Sequence, residues 1–226
     1  MESNAHREWF AMSRPALETG RPAIRRGVVA ILCVLAAGDL WFIQEAARQY
    51  SDYAAASYGD LWSRRAGFLP HLAGGLIAIS AGLVQLWLGL TQRTGRLHRA
   101  LGRVYLGGVA VGSGGAYYLA LTIESRYFAY ASGLFMLSTA WVLTTGMAYA
   151  AIRRRSIDQH REWMIRSYTV TFAFVLFRLT DQLLIHWQVA PPEQIDAVAA
   201  WACWSVPLLL VEPLLQMRRM RRGVSR

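Results

Sequence analysis

Two short runs carry most of the chemistry this sequence offers: His98-Arg99-Ala100-Leu101-Gly102-Arg103-Val104-Tyr105 and His160-Arg161-Glu162-Trp163-Met164-Ile165-Arg166-Ser167-Tyr168. Each reads His-Arg, then an Arg and a Tyr one to two helical turns further on, with one extra residue in the second copy. Each opens an apolar run from an Arg-rich loop. The two therefore read as an internal echo, a duplicated helix pair of one orientation.

Residues of these types support two chemistries. His98, Arg99, Arg103, Tyr105, His160, Arg161, Arg166 and Tyr168 would form a cationic cradle for an anionic group, because guanidinium forks match phosphate and helix N-termini favour negative charge. The ligand would be a lipid headgroup or another small anion. Alternatively, imidazoles are axial ligands for haem b. His71 and His186 would then pair at one membrane face and His98 and His160 at the other, with Arg99, Arg103 and Arg166 near the propionates. Against haem, His98 lies about six residues before the apolar core of its helix, about 9 Å towards water. A third reading needs no ligand: Arg-rich loops orient any membrane protein and His caps helices, which suits an accessory subunit of a membrane complex.

Polar residues inside apolar runs are the other signal, since charge is expensive in hydrocarbon. Arg178 and Asp181 stand three apart and are expected to pair with each other, or to relay protons or ions towards His186. Asp39 and Gln85 are their expected polar neighbours. Glu212, followed by Pro213, is expected to neutralise one of Arg103, Arg161 or Arg166, with Pro213 kinking its helix. There is no Gly-x-Ser-x-Gly elbow, no His-Glu-x-x-His and no phosphate-binding Gly loop, so hydrolase and nucleotide-dependent activities are not expected. Cys33 and Cys203 have no Cys-x-x-Cys spacing and read as buried small hydrophobes.

Pro70-His71-Leu72 with Gln85, then His98-Arg99-x-x-Gly102-Arg103-x-Tyr105, then His160-Arg161-x-Trp163-Met164-x-Arg166-Ser167-Tyr168, resemble the predicted bacterial membrane proteins grouped as domain of unknown function 2306. The resemblance runs over about residues 65–216. It implies a multi-helix membrane protein and brings no activity with it.

The elements that position these residues follow from composition. Hydrophobic residues make up 54% of the 226-residue chain and charged residues 17%, against about 25% charged in a soluble globule. The deficit lies in long apolar runs, and a bilayer core needs about 20 such residues per helix. Six runs qualify, at approximately 27–46, 69–90, 104–123, 128–152, 164–185 and 197–217. Each must be helical to satisfy its backbone in lipid. The sequence thus predicts an all-α bundle of six transmembrane helices, with a polar tail over 1–26 and a basic tail over 218–226.

All 24 basic residues are Arg, giving a net charge of +10. Nineteen fall in the two tails and the second and fourth loops, and four in the opposite loops. That bias places both termini in the cytoplasm of a bacterial inner membrane. The charge sits in short clusters between apolar runs, so the bilayer and its anionic headgroups are the expected partners and nucleic acid is not. No cleaved signal peptide is expected; the first helix would serve for targeting. Gly75, Gly82 and Gly89, Gly108-x-x-x-Gly112 and Ala129-x-x-x-Gly133 mark helix seams. The longest loop, Ala47 to Phe68, is too short for a catalytic domain, so any chemistry lies in the bundle or at its rims.

Overall fold

The structure is a computed structural model and describes residues 22–91 and 93–223, with side chains for 26–91 and 93–220. The polar segment 1–21 and residues 224–226 lie outside the described residues, as do the side chains of Arg25, Arg221 and Arg222, so most of both basic tails is not placed. Among the described residues there is helix and no strand. The long helices are α1 (Pro22–Tyr50), α2 (Arg65–Leu90), α3 (Arg96–Leu121), α4 (Phe128–Arg153), α5 (Ile157–Thr171), α6 (Ala173–His186) and α7 (Pro192–Gly223). Phe172 separates α5 from α6 by a tightened turn, in which Val175 N–H bonds to the Phe172 carbonyl at 3.0 Å. The two act as one span, giving six segments long and apolar enough to cross a membrane.

Consecutive spans are antiparallel, so one end of the bundle gathers the loops rich in Arg. The α3 and α5 helices begin at Arg96 and Ile157, well before the apolar runs that mark their cores. Helical hydrogen bonding does not stop at the hydrocarbon edge, so an amphipathic first turn extends each helix towards water. His98 and His160 therefore sit within first turns.

Contact between α2 and α3 is made through glycine. A Cβ added to Gly74 would stand 2.6 Å from both the Gly108 carbonyl oxygen and Gly112 Cα. One added to Gly115 would run into the Gly67 carbonyl and stand 2.6 Å from His71 N. With little hydrophobic drive between helices in lipid, such backbone-to-backbone approach carries the packing. The next face of α2 holds Gly75 and Gly82, which receive the Phe174 ring and the rings of Tyr168 and Tyr105. Gly133 of α4 receives Ala200 and Trp201 of α7, whose Nε1 donates to the Ala129 carbonyl at 3.0 Å. The α7 helix runs through Pro207 and Pro213 without ending.

The α1 helix leans on the bundle along one side only. Cys33 consequently faces outward and is exposed, contrary to the expectation of burial, whereas Cys203 is buried. Between α1 and α2, a turn of helix at Ala55–Tyr58 and a 3-10 turn at Gly59–Trp62 fold back over the end opposite the Arg-rich one. Aromatic rings fix that segment: Tyr50 packs against Tyr58 at 5.2 Å and Phe68 at 4.8 Å between ring centres.

Candidate functional site

At the Arg-rich end, the residues of the two His-Arg runs part company. His98 and Arg99 are adjacent, so their side chains leave α3 about 100° apart. His98 turns inward, close enough to His160 for the two rings to interact electrostatically, while Arg99 and Arg103 are exposed. Arg161 is likewise exposed. His160 Nδ1 donates to the Ala148 carbonyl at 2.9 Å. Gln85 Nε2 donates to the His98 carbonyl, and His98 Nδ1 is buried without a partner.

Arg166 is spent on the protein itself. Its Nε and Nη2 donate to Glu212 Oε2 at 2.9 and 2.6 Å, and its guanidinium lies 4.7 Å from the Trp163 ring centre. Glu162 lies 3.9 Å from Arg166 Nη1 and also accepts from Arg219. Two arginines and two glutamates thus tie α5 to α7. Glu212 does neutralise one of the three expected arginines; of the eight residues of the expected cradle, Arg99, Arg103 and Arg161 are exposed while Tyr105 and Tyr168 are buried.

Tyr105 and Tyr168 point into the middle of the bundle. The Tyr105 hydroxyl meets Ser167 Oγ at 2.6 Å and Thr171 Oγ1 at 2.8 Å. Trp141 Nε1 donates to the same Thr171 oxygen at 2.8 Å, and Thr145 Oγ1 meets Ser167 Oγ at 2.7 Å. These groups satisfy one another and join α3, α4 and α5 as polar glue. Tyr168 donates to Asp39 Oδ2 at 2.6 Å, which pins α1 to the bundle. Asp39 and Gln85 therefore do not neighbour the Arg178–Asp181 stretch.

A cavity lies at the opposite end, beneath the aromatic fold-back. It is partly open, has a volume of about 410 Å³ and is walled by α1, α2, α3, α4, α5 and α6. That volume falls in the range of small-molecule sites, which are mostly apolar with a few placed polar groups. Phe42, Phe68, Trp141, Phe174 and Phe177 give the apolar walls; Glu45, Gln49, His71, Tyr130 and Arg178 give the polar points.

His71 Nδ1 pairs with the Gly112 carbonyl at 3.0 Å, and its ring stacks on Phe174 at 5.1 Å and 28°. The glycine seam makes this possible, because a Cβ at Gly115 would come within 2.9 Å of His71 Cβ. Arg178 Nη2 donates to the Tyr50 hydroxyl at 3.2 Å. Asp181, three residues on, is rotated about 60° from it and lies against Asp196 of α7, so the expected Arg178–Asp181 pair does not form. His186 is exposed and outside the cavity, so among the described residues His71 has no histidine partner at this end. No group of three or more His, Cys, Asp or Glu is placed to hold a metal among the described residues.

Sequence reasoning did not single out Glu45, Gln49, Tyr130, Phe174 or Phe177. The usable signal was the i, i+3, i+4 spacing of Phe174, Phe177 and Arg178, which puts two rings and a cation on one face of α6.

No curated protein and no solved structure matches the chain. A family model described as predicted membrane protein (DUF2306) matches residues 68–216. The match takes in His71, Trp141, Phe174 and Arg178, and leaves out α1 and the aromatic fold-back, which complete the cavity wall. With five of its six spans under that one model, the chain belongs to the predicted membrane protein family DUF2306.

Proposed function

We propose that this protein binds a membrane-dissolved small molecule in the aromatic cavity, with an apolar body against Phe42 and Phe174 and a polar end at Arg178 and Tyr50. The observation that carries the reading is the coincidence of a partly open cavity of about 410 Å³ with a cation and an imidazole on its walls. The Arg bias supports a bacterial inner membrane with the Arg-rich end in the cytoplasm and the cavity in the outer half. Anionic headgroups would then meet exposed Arg99, Arg103 and Arg161 as surface contacts.

The test is mass spectrometry of small molecules that co-purify with the detergent-extracted protein. Ala116→Phe points a ring into the cavity from α3 and is expected to deplete a species that the wild type retains. Equal small-molecule content in both proteins would sink the reading.

A second reading, haem b, is favoured by one feature. His71 and His160 each spend Nδ1 on a backbone carbonyl, the arrangement that orients imidazoles for metal ligation through Nε2. His98 and His160 would then be the facing pair. An absorption spectrum before and after dithionite decides it: a Soret band that shifts on reduction and vanishes in His160→Ala supports haem. A featureless visible spectrum from cells supplied with haem removes it.

A further inference from the structure

We infer that the ligand of the cavity is a quinone or quinol, an aromatic ring with oxygens at opposite ends carried on an apolar tail; this rests on the cavity reading above. A carbonyl can only accept a hydrogen bond, so the bond to Gly112 fixes the proton of neutral His71 on Nδ1. Nε2 then presents a lone pair, which takes a hydroxyl hydrogen. Arg178 offers only donors. One of its amino groups is given to the Tyr50 hydroxyl, and the remaining N–H groups suit a carbonyl or hydroxyl oxygen. Because the Tyr50 oxygen is the acceptor in that bond, its own proton is also available to a ligand.

The hydrogen-bonding character of these groups selects the ligand. The His71 ring stacks on Phe174, and Arg178 lies one helical turn beyond Phe174 on α6, about 6 Å along the axis. An acceptor on α2 and donors on α6 thus face the same cavity. A six-membered ring with an oxygen at each end can present one oxygen to each. Aromatic side walls suit the faces of such a ring, and the leucines at 134 and 137 continue the cavity for a tail.

A phospholipid headgroup fits less well. Glu45 lines the same cavity, and its carboxylate repels a phosphate that the single guanidinium would have to hold.

The test uses the full chain in detergent, titrated with decylubiquinone and separately with a brominated fatty acid. Both quench tryptophan, and Trp141 lines the cavity. We expect saturable quenching by decylubiquinone, weakened at least tenfold in His71→Phe and in Arg178→Gln. Helix content and elution volume on gel filtration show which variant is folded, and either one suffices. Fatty-acid quenching that saturates and is weakened by Ala116→Leu, with quinone quenching that does not saturate or is unchanged in the folded variant, overturns the quinone assignment and leaves the cavity reading in place. If neither probe saturates, both readings fall.

Discussion

Gly74→Ala places a methyl group where the backbone of α3 already stands. The added carbon would lie 2.6 Å from the Gly108 carbonyl oxygen and from Gly112 Cα, and ordinary contact begins at 3.4 Å. Neither neighbour is a side chain that can swing away, so the two helices must part by the better part of an ångström. A gap of about 0.5–1 Å forfeits a quarter to a half of the dispersion energy of each contact it opens. Overpacking of this kind costs about 1–3 kcal/mol, partly offset by about 1 kcal/mol of better helix propensity.

Gly114 supplies the control. It lies in α3 with nothing within 4 Å of an added Cβ, so Gly114→Ala feels the propensity gain alone. The assay is unfolding of both variants and wild type in detergent, followed by circular dichroism against temperature or increasing dodecyl sulfate. Gly74→Ala is expected to unfold earlier than wild type and Gly114→Ala later. Equal stability of the two variants would refute the reasoning, because it would mean that the seam does not depend on backbone contact.

Three further outcomes follow from contacts at other levels of the bundle. Glu212→Gln leaves Arg166, whose side chain is 10% exposed, with Glu162 at 3.9 Å as its remaining acidic neighbour. Glu212 itself is 44% exposed, so the loss is held to about 1–3 kcal/mol, read as a lower melting temperature. The double variant Arg166→Met with Glu212→Leu should recover part of that loss, and no recovery would count against a buried uncompensated charge as its cause. Tyr168→Phe strips Asp39 of its hydrogen bond at 2% exposure, with Oδ1 already unpartnered. It should destabilise by about 1–3 kcal/mol and speed proteolysis near α1, while unchanged proteolysis would mean that α1 is held by packing alone. Tyr105→Phe removes the hydroxyl that Ser167 and Thr171 both meet and should cost about 1 kcal/mol; a melting temperature equal to that of wild type would show that the cluster reorganises without it.

The six spans were legible because lipid imposes one rule on every segment, namely enough apolar residues to cross and a backbone satisfied within the helix. The starts of α3 and α5 were less so, since Arg96 to Arg99 and Ile157 to Arg161 carry polar side chains on a helix that continues into water. Charge drew attention to the Arg-rich end and to Glu212 as a partner there, but which of three arginines it takes, Arg166 at 46 positions away, is set by packing and not by local spacing. The cavity escaped notice for a related reason. It is built from single residues on different helices; His71 and Arg178 stood out in the sequence, but Phe42 and Tyr130 did not, and only packing makes the four neighbours. Arg178 and Asp181 illustrate the limit of helical arithmetic: a separation of three permits a pair, and α1 and α7 pull the two side chains apart.

The glycine contact between α2 and α3 also bears on mechanics. Two backbones pressed together without intervening side chains leave no compressible layer, so the hairpin behaves as a stiff plate. Its counterpart across the cavity is α1, which rests on long side chains, one tyrosine–aspartate hydrogen bond and the Tyr50–Arg178 contact. Strain applied from within the cavity therefore falls unequally on its walls. On the binding reading proposed above, the displacement that admits or releases a molecule falls to α1 and not to the hairpin.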